Sequence, residues 1–347
     1  MVQVFVVLAG AIGLALAAVQ QADQAPAAQA AATQAPAAPI TFEAFVAELR
    51  TEALSRGISA ATVDATLTNI EPVTVVVTRD RSQPEITQSL DAYVQQRVTP
   101  GRVTTGRKML NTHRALLTRI EKQYGLPPPV MVAIWGIESN FGSFTGSYST
   151  IPALATLAWD GRRPLFRSEL FEALKIVDQG RASATELKGS WAGAMGQPQF
   201  MPSSYLSHAV DFDEDGHANI WTSLPDVFAS MANYLEKSGW ARGVRWGREV
   251  RITKAAMTRV DRAVPMRTAS GCRAFREMTV ARPLAEWAKL GVTLPGGGAL
   301  PKADMTASLV RGQTRHFLVY ENYHALIAYN CSHAYAVTVG TLADRID

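Results

Sequence analysis

Residues 126–142 read Leu126-Pro127-Pro128-Pro129-Val130-Met131-Val132-Ala133-Ile134-Trp135-Gly136-Ile137-Glu138-Ser139-Asn140-Phe141-Gly142. The prolines make a stiff lead into a helix, because proline is tolerated in a first turn and not beyond it. From Val130 to about Ser139 the segment is apolar almost all round, so a helix here has no face to give to water and is expected to be buried. Glu138 then falls in its last turn, among Ile, Trp and Phe. Lost hydration and the negative end of the helix dipole both disfavour its ionised form. A carboxyl kept neutral in an apolar pocket can protonate a leaving oxygen. The competing reading is a solvent-facing Glu at a helix end.

Outward from this helix the pattern stays helical. Phe42, Phe45, Val46 and Leu49 recur at helical spacing, with Gly57 as a stop. Met109, Leu110, His113, Leu116, Leu117 and Ile120 form a second stripe, closed by Gly125. Further helices are expected near 167–179, 223–238 and 283–290. Strand signals are sparse until 316–320 and 324–329, which flank Glu321-Asn322-Tyr323 and predict a hairpin. The fold class expected is α+β, mostly helical, with a small β element.

The chain has 347 residues, 47% hydrophobic and 18% charged, which excludes a wholly disordered chain. Its formal charge of +4 is small for its size, and no dense Lys/Arg run accompanies it, so no nucleic-acid partner is expected. Residues 4–19 are an uninterrupted apolar run ending in small residues, read as a signal peptide over 1–19, with a single-pass membrane anchor as the alternative. No Cys follows the run, so the protein is not expected to be a lipoprotein. Residues 20–40 are nearly all Ala, Gln and Pro and read as a disordered linker. The folded region is then 41–347, in a periplasmic protein. In an exported chain, the two cysteines, Cys272 and Cys331, suggest one disulfide; two buried thiols are the alternative.

Two other segments carry chemistry. In 189–202, Gly and Ala alternate with aromatics, Met and two Gln; small residues let a backbone approach a bulky ligand, and Gln with aromatic faces suits sugars. A tight packing junction explains the same composition. In 211–222, Asp211, Asp213 and Asp215 with Gly216 follow the EF-hand pattern, but position 12 is Thr222 rather than Glu. Asp226 can replace that ligand, or act only in the helix start Ser223-Leu224-Pro225-Asp226. No GxSxG, HExxH, P-loop or strand-linked GxGxxG is found, which argues against serine hydrolases, zinc proteases and nucleotide enzymes.

The stretches 137–142, 188–205, 210–221 and 232–240, in this order, resemble the lytic murein transglycosylase B family, and the similarity runs from about Thr41 to the C-terminus. The resemblance implies a lysozyme-like core with additional subdomains. It also implies cleavage of the β-1,4 bond between N-acetylmuramic acid and N-acetylglucosamine in peptidoglycan, with 1,6-anhydromuramyl ends. Glu138 then matches the family's acid. Tyr93, Ser190, Gln199, Tyr234, Tyr329, Asn330 and Tyr335 match its substrate contacts. Asp211, Asp213, Asp215, the carbonyl of His217 and Asp226 match its EF-hand-like loop. Peptidoglycan glycan strands are the expected partner, for a protein acting as a monomer. No cofactor is expected in the chemistry, and a structural Ca2+ is allowed. Rival readings are a hydrolytic muramidase and a non-catalytic peptidoglycan-binding protein.

Overall fold

A computed structural model describes residues 40–81, 88–161 and 163–347. The proposed signal peptide and nearly all of the linker lie outside these residues. Thr41–Asp347 is one compact unit.

The first helices are α1 (Phe42–Ser55), α2 (Ala60–Leu67), α3 (Thr74–Arg81), α4 (Leu90–Arg97), α5 (Pro100–Thr112), α6 (Arg114–Tyr124) and α7 (Pro128–Ser139). Next come β1 (Tyr148–Ser149), α8 (Thr150–Asp160), α9 (Pro164–Asp178), β2 (Lys188–Gly189), α10 (Pro202–His208) and α11 (Leu224–Lys237). The chain ends with β3 (Gly247–Val250), α12 (Lys254–Ala263), β4 (Arg282–Pro283), α13 (Leu284–Lys289), β5 (Thr306–Arg311), β6 (His316–Val319), α14 (Asn322–Tyr329) and α15 (His333–Ile346). Serine and threonine start many of the helices. Thr41, Ser59, Ser89, Thr99, Ser223, Thr253 and Ser332 each accept a first-turn N–H that would otherwise lack a partner.

Two sequence expectations are corrected. The stripe 109–120 is not one helix: it breaks at His113, whose ring wedges against Trp135 (5.9 Å) and Phe228 (6.1 Å). The hairpin expected across 321–323 does not exist. Residues 316–319 form a strand, but its hairpin partner is the preceding β5, and 322–329 is helix α14. The sheet runs β3-β6-β5-β4, all antiparallel.

The elements bury three apolar clusters. α4–α7, α11, α14 and α15 enclose the central one, which holds residues of α7 from Val130 to Trp135. α1, α2, α8, α9 and α10 enclose a second with Met195, Phe200 and Ile220. One face of the sheet with α12 and α13 makes the third. Tyr234 and Tyr329 pack against both the first and the second cluster, so they mark the seam between them.

Candidate active site

α7 delivers Glu138 to this region. Its residues from Val130 to Gly136 are buried, as the all-round apolar pattern predicts, while Glu138, next to last, is half-buried. The helix end is tightly specified. Asn140 takes the left-handed conformation that ends helices, and Phe141 follows it there (φ 58°), a costly backbone for a bulky residue. Phe141 N–H donates to the Trp135 carbonyl (3.2 Å), and its ring lies over Gly136, where an added Cβ would meet the ring at 2.7 Å. Ser139 Oγ donates to the Trp135 carbonyl (3.2 Å) and accepts from Gly142 N–H (3.1 Å).

Around the carboxyl stands an aromatic wall. The Tyr335 hydroxyl is buried and lies near enough to the Glu138 carboxyl to feel its charge. Burial first, then the Glu138 charge, push the Tyr335 and Tyr329 hydroxyls well above the usual tyrosine pKa. Tyr329 stacks nearly parallel on Tyr335 (6.2 Å, 6°) and touches Tyr234 (4.8 Å); Phe200 meets both Tyr234 and Tyr329. Two of these hydroxyls are already committed: Tyr234 donates to the Ala328 carbonyl (2.8 Å) and Tyr329 to that of Pro198 (2.7 Å). They therefore offer ring surface rather than free donors. A cavity of about 590 Å³ is lined by Tyr93, Asn330 and Tyr335, together with Arg273 and Glu277. Tyr93 and Tyr335 are only 5% and 3% exposed, and Arg97 covers the Tyr93 ring at 4.6 Å.

Ser190 and Gln199 serve their own loops. Ser190 Oγ accepts from Ala192 N–H (3.3 Å) and Ala194 N–H (3.2 Å). Gln199, at φ 52°, donates through Nε2 to the carbonyls of Gly196 (2.7 Å) and Thr145 (3.1 Å). The small residues here are corrected to the packing reading: they meet the protein's own atoms. A Cβ on Gly189 would strike the Ala194 carbonyl, one on Gly146 the Gly189 carbonyl, and one on Gly196 the Ile220 carbonyl (2.6 Å). Gln197 is a positioning residue that the sequence did not single out. It accepts from Trp135 Nε1 (2.7 Å) and donates to the Trp221 carbonyl (2.9 Å), joining α7 to the acidic loop. Only its place between Gly196 and Pro198 could have marked it.

In the acidic loop, Asp211, Asp213 and Asp226 bring carboxylate oxygens within 4.8 Å of one another. Asp215 is outside this group; its Oδ1 accepts from His217 N–H (2.9 Å), and the His217 carbonyl accepts from Asn219 N–H (3.0 Å). Asp226 is fully buried, with one oxygen accepting from Phe212 N–H (2.7 Å) and the other from Asn219 N–H (2.8 Å). Burial raises its pKa, those N–H groups oppose the rise, and the Asp213 charge adds to it. Ser223 caps α11 by accepting from Asp226 N–H (3.4 Å), so the helix-start reading of Asp226 holds for its backbone, while its carboxylate faces Asp211 and Asp213. Three converging carboxylates, one buried, fit a hard cation such as Ca2+, which would relieve their mutual repulsion. Cys272 and Cys331 form a disulfide (Cα–Cα 5.7 Å) beside Asn330.

A mostly helical fold that ends a buried helix in a carboxyl, at an aromatic seam between two cores, defines a lysozyme-like class of protein. The chain belongs to the transglycosylase SLT domain family, whose model matches residues 41–344. It is 40% identical to the membrane-bound lytic murein transglycosylase B of Escherichia coli K12 over 153 residues, 44% of this chain and 42% of that relative. The matched segment thus spans less than half of that protein. SltB3 of Pseudomonas aeruginosa, solved in complex with NAG-anhNAM-pentapeptide, is 41% identical with a TM-score of 0.76, over 88% of this chain and 79% of that one. Slt35 of E. coli, solved in complex with calcium, is 27% identical with a TM-score of 0.70, over 87% and 92%.

Proposed function

We propose that the chain is a lytic transglycosylase that cuts peptidoglycan glycan strands at the β-1,4 bond between N-acetylmuramic acid and N-acetylglucosamine, leaving a 1,6-anhydromuramyl end. The observation that carries this reading is the placement of Glu138, half-buried on a pinned helix end, with its charge acting on the buried hydroxyls of Tyr329 and Tyr335. The ligand named for SltB3, which contains an anhydro-sugar, supports the same product class.

Glu138 gives its proton to the glycosidic oxygen as the bond to C1 breaks. The muramyl N-acetyl group supports the positive charge on C1. Glu138, now ionised, takes the proton of the sugar's own C6 hydroxyl, whose oxygen attacks C1 and closes the ring. The nucleophile is tethered to the reacting sugar, so little entropy is lost in bringing it up. The raised pKa of Tyr335 keeps its hydroxyl protonated beside the ionised Glu138. Asn330, Tyr93 and the rings of Tyr234 and Tyr329 line the sugar path, and Ser190 and Gln199 hold the loops that shape it. Asp211, Asp213 and Asp226, with Asp215 and the His217 carbonyl reached by adjustment of the loop, would hold a structural Ca2+. The chemistry itself uses no cofactor.

A hydrolytic muramidase is the second reading, because Glu277 lines the cavity with Tyr93, Asn330 and Tyr335, and hydrolytic glycosidases use two carboxylates. Glu277 is bound to Arg273 (2.5 Å), which disfavours that role. We further infer export to the periplasm and action as a monomer. The E. coli relative is named membrane-bound, and no helix of the described residues is long and apolar enough to cross a membrane. Replacing Glu138 by Gln tests the catalytic reading. Release of fragments from purified murein sacculi is expected to fall by about 10²–10⁴-fold with the melting temperature retained. A near-wild-type rate would remove Glu138 from the reaction.

A further inference from the structure

A cavity of about 680 Å³ lies beside the acidic loop, and none of the residues assigned above to sugar contact lines it. One wall runs from Val177 at the end of α9 to Lys188 of β2; the other is 215–222. Trp221 stands between them. Its Nε1 donates to the Lys188 carbonyl (2.9 Å) and its ring leans on Tyr205 (5.7 Å), so the indole is held in one orientation while staying half-buried.

Two polar groups of the rim are also fixed in place. A Glu186 carboxylate oxygen accepts from Ser183 N–H and Oγ (both 2.7 Å), and Lys188 Nζ donates to Ser149 Oγ (2.7 Å). Arg181 and Lys188 balance Glu186 and Asp215, so these four leave the rim without net charge. Val177, Ala182 and Ala218 supply apolar surface. A multiply charged anion gains no net attraction from such a site. A neutral ring with one apolar face and a hydroxylated edge matches it: the face lies on the indole and the edge meets alternating donors and acceptors.

We propose that this cavity is a second saccharide site, taking a neutral N-acetylglucosamine unit of a glycan strand apart from the site of cleavage. The choice of that sugar rests on the function proposed above. The site is tied to the first one through the backbone. Lys188 precedes Ser190 by two residues, and the Trp221 carbonyl is held by Gln197, which also holds Trp135 of α7. A strand gripped here stays near Glu138 between cuts.

The test uses the full chain carrying Glu138→Gln, so that no ligand is cut, labelled for amide NMR and titrated with triacetylchitotriose. The expected result is a saturable shift of the Gly180, Ser183, His217 and Thr222 amides, with inorganic phosphate and a free stem peptide giving none. Arg181→Ala is expected to weaken binding at these amides about tenfold, the scale of a hydrogen bond to a charged group. Three results overturn the proposal. One is unmoved amides at 180–183 and 217–222 while those of Ser190, Gln199 and Asn330 shift, which leaves the cleavage reading standing. Another is equal shifts with phosphate or peptide. The third is no shift anywhere, which sinks both readings. Shifts at the cavity alone support it while removing the cleft.

Discussion

Tyr335 and His333 sit two residues apart on α15, and the same burial acts on them in opposite chemical directions. Burial raises the Tyr335 hydroxyl and lowers His333, whose ring is stacked on Tyr323 and whose Nδ1 is 2.8 Å from the Tyr323 hydroxyl, to a pKa of about 4. A depressed histidine binds fewer protons folded than unfolded between its folded pKa and the ordinary 6.5. Its contribution to stability is complete above 6.5 and is lost as pH falls toward 4. At about 1.4 kcal/mol per pH unit the loss is on the order of 3 kcal/mol. Burial lowers His113, His208, His316 and His324 in the same direction. Denaturant titrations from pH 7 to 4 are therefore expected to show falling stability, with a shallower fall in His333→Gln. An unchanged slope in that variant would mean that His333 stays exposed to protonation. At this scale the sequence was legible where chemistry repeats locally: Glu138 among apolar residues, or aspartates alternating in a loop. It was silent on Tyr93, which meets the cavity only because α4 lies against α15, and on Gln197, whose two partners are far away in the chain.

The end of α7 is the element on which the site depends. Gly136 leaves room for the Phe141 ring, so Gly136→Ala overpacks that contact at a cost of about 1–3 kcal/mol and displaces the turn that carries Glu138. A lower melting temperature is expected, with part of the loss recovered in the double variant with Phe141→Ala. Strict additivity of the two changes would contradict the contact. The acidic loop makes a separate prediction. Calcium at roughly 100 times its dissociation constant stabilises a binding fold by about 2.7 kcal/mol, so calcium should raise the melting temperature and Asp226→Asn should abolish the rise. Flat melting curves in calcium and chelator would make the loop an ordinary turn. Elements with one continuous pattern, such as α7 and α11, were readable. The α14 segment was not, because His324-Ala325-Leu326-Ile327-Ala328-Tyr329 is a short apolar run that fits strand or helix equally. Long-range contact decides it: β6 already has β5 and β3 as neighbours, which leaves the next segment free to coil onto α11 and α15.

Across the whole molecule, the seam between the first two cores gives Glu138 its surroundings, and no local pattern predicts that seam. Tyr234, Tyr329 and Phe200 come from three separated segments and meet there. The disulfide holds the α14–α15 junction, with Asn330, to the turn at 272–276 across 59 residues of chain. The helix-dominant class was legible from composition and periodicity, whereas the four-stranded sheet, with β3 far from β5 and β6 in sequence, was not. The central claim is that one carboxyl acts twice and that the sugar, not water, closes the reaction. Digestion of murein sacculi in heavy-oxygen water, followed by mass spectrometry of the released muropeptides, tests it most directly. Ends lighter by one water than reducing ends, and carrying no heavy oxygen, are expected; reducing ends labelled with heavy oxygen would contradict that chemistry.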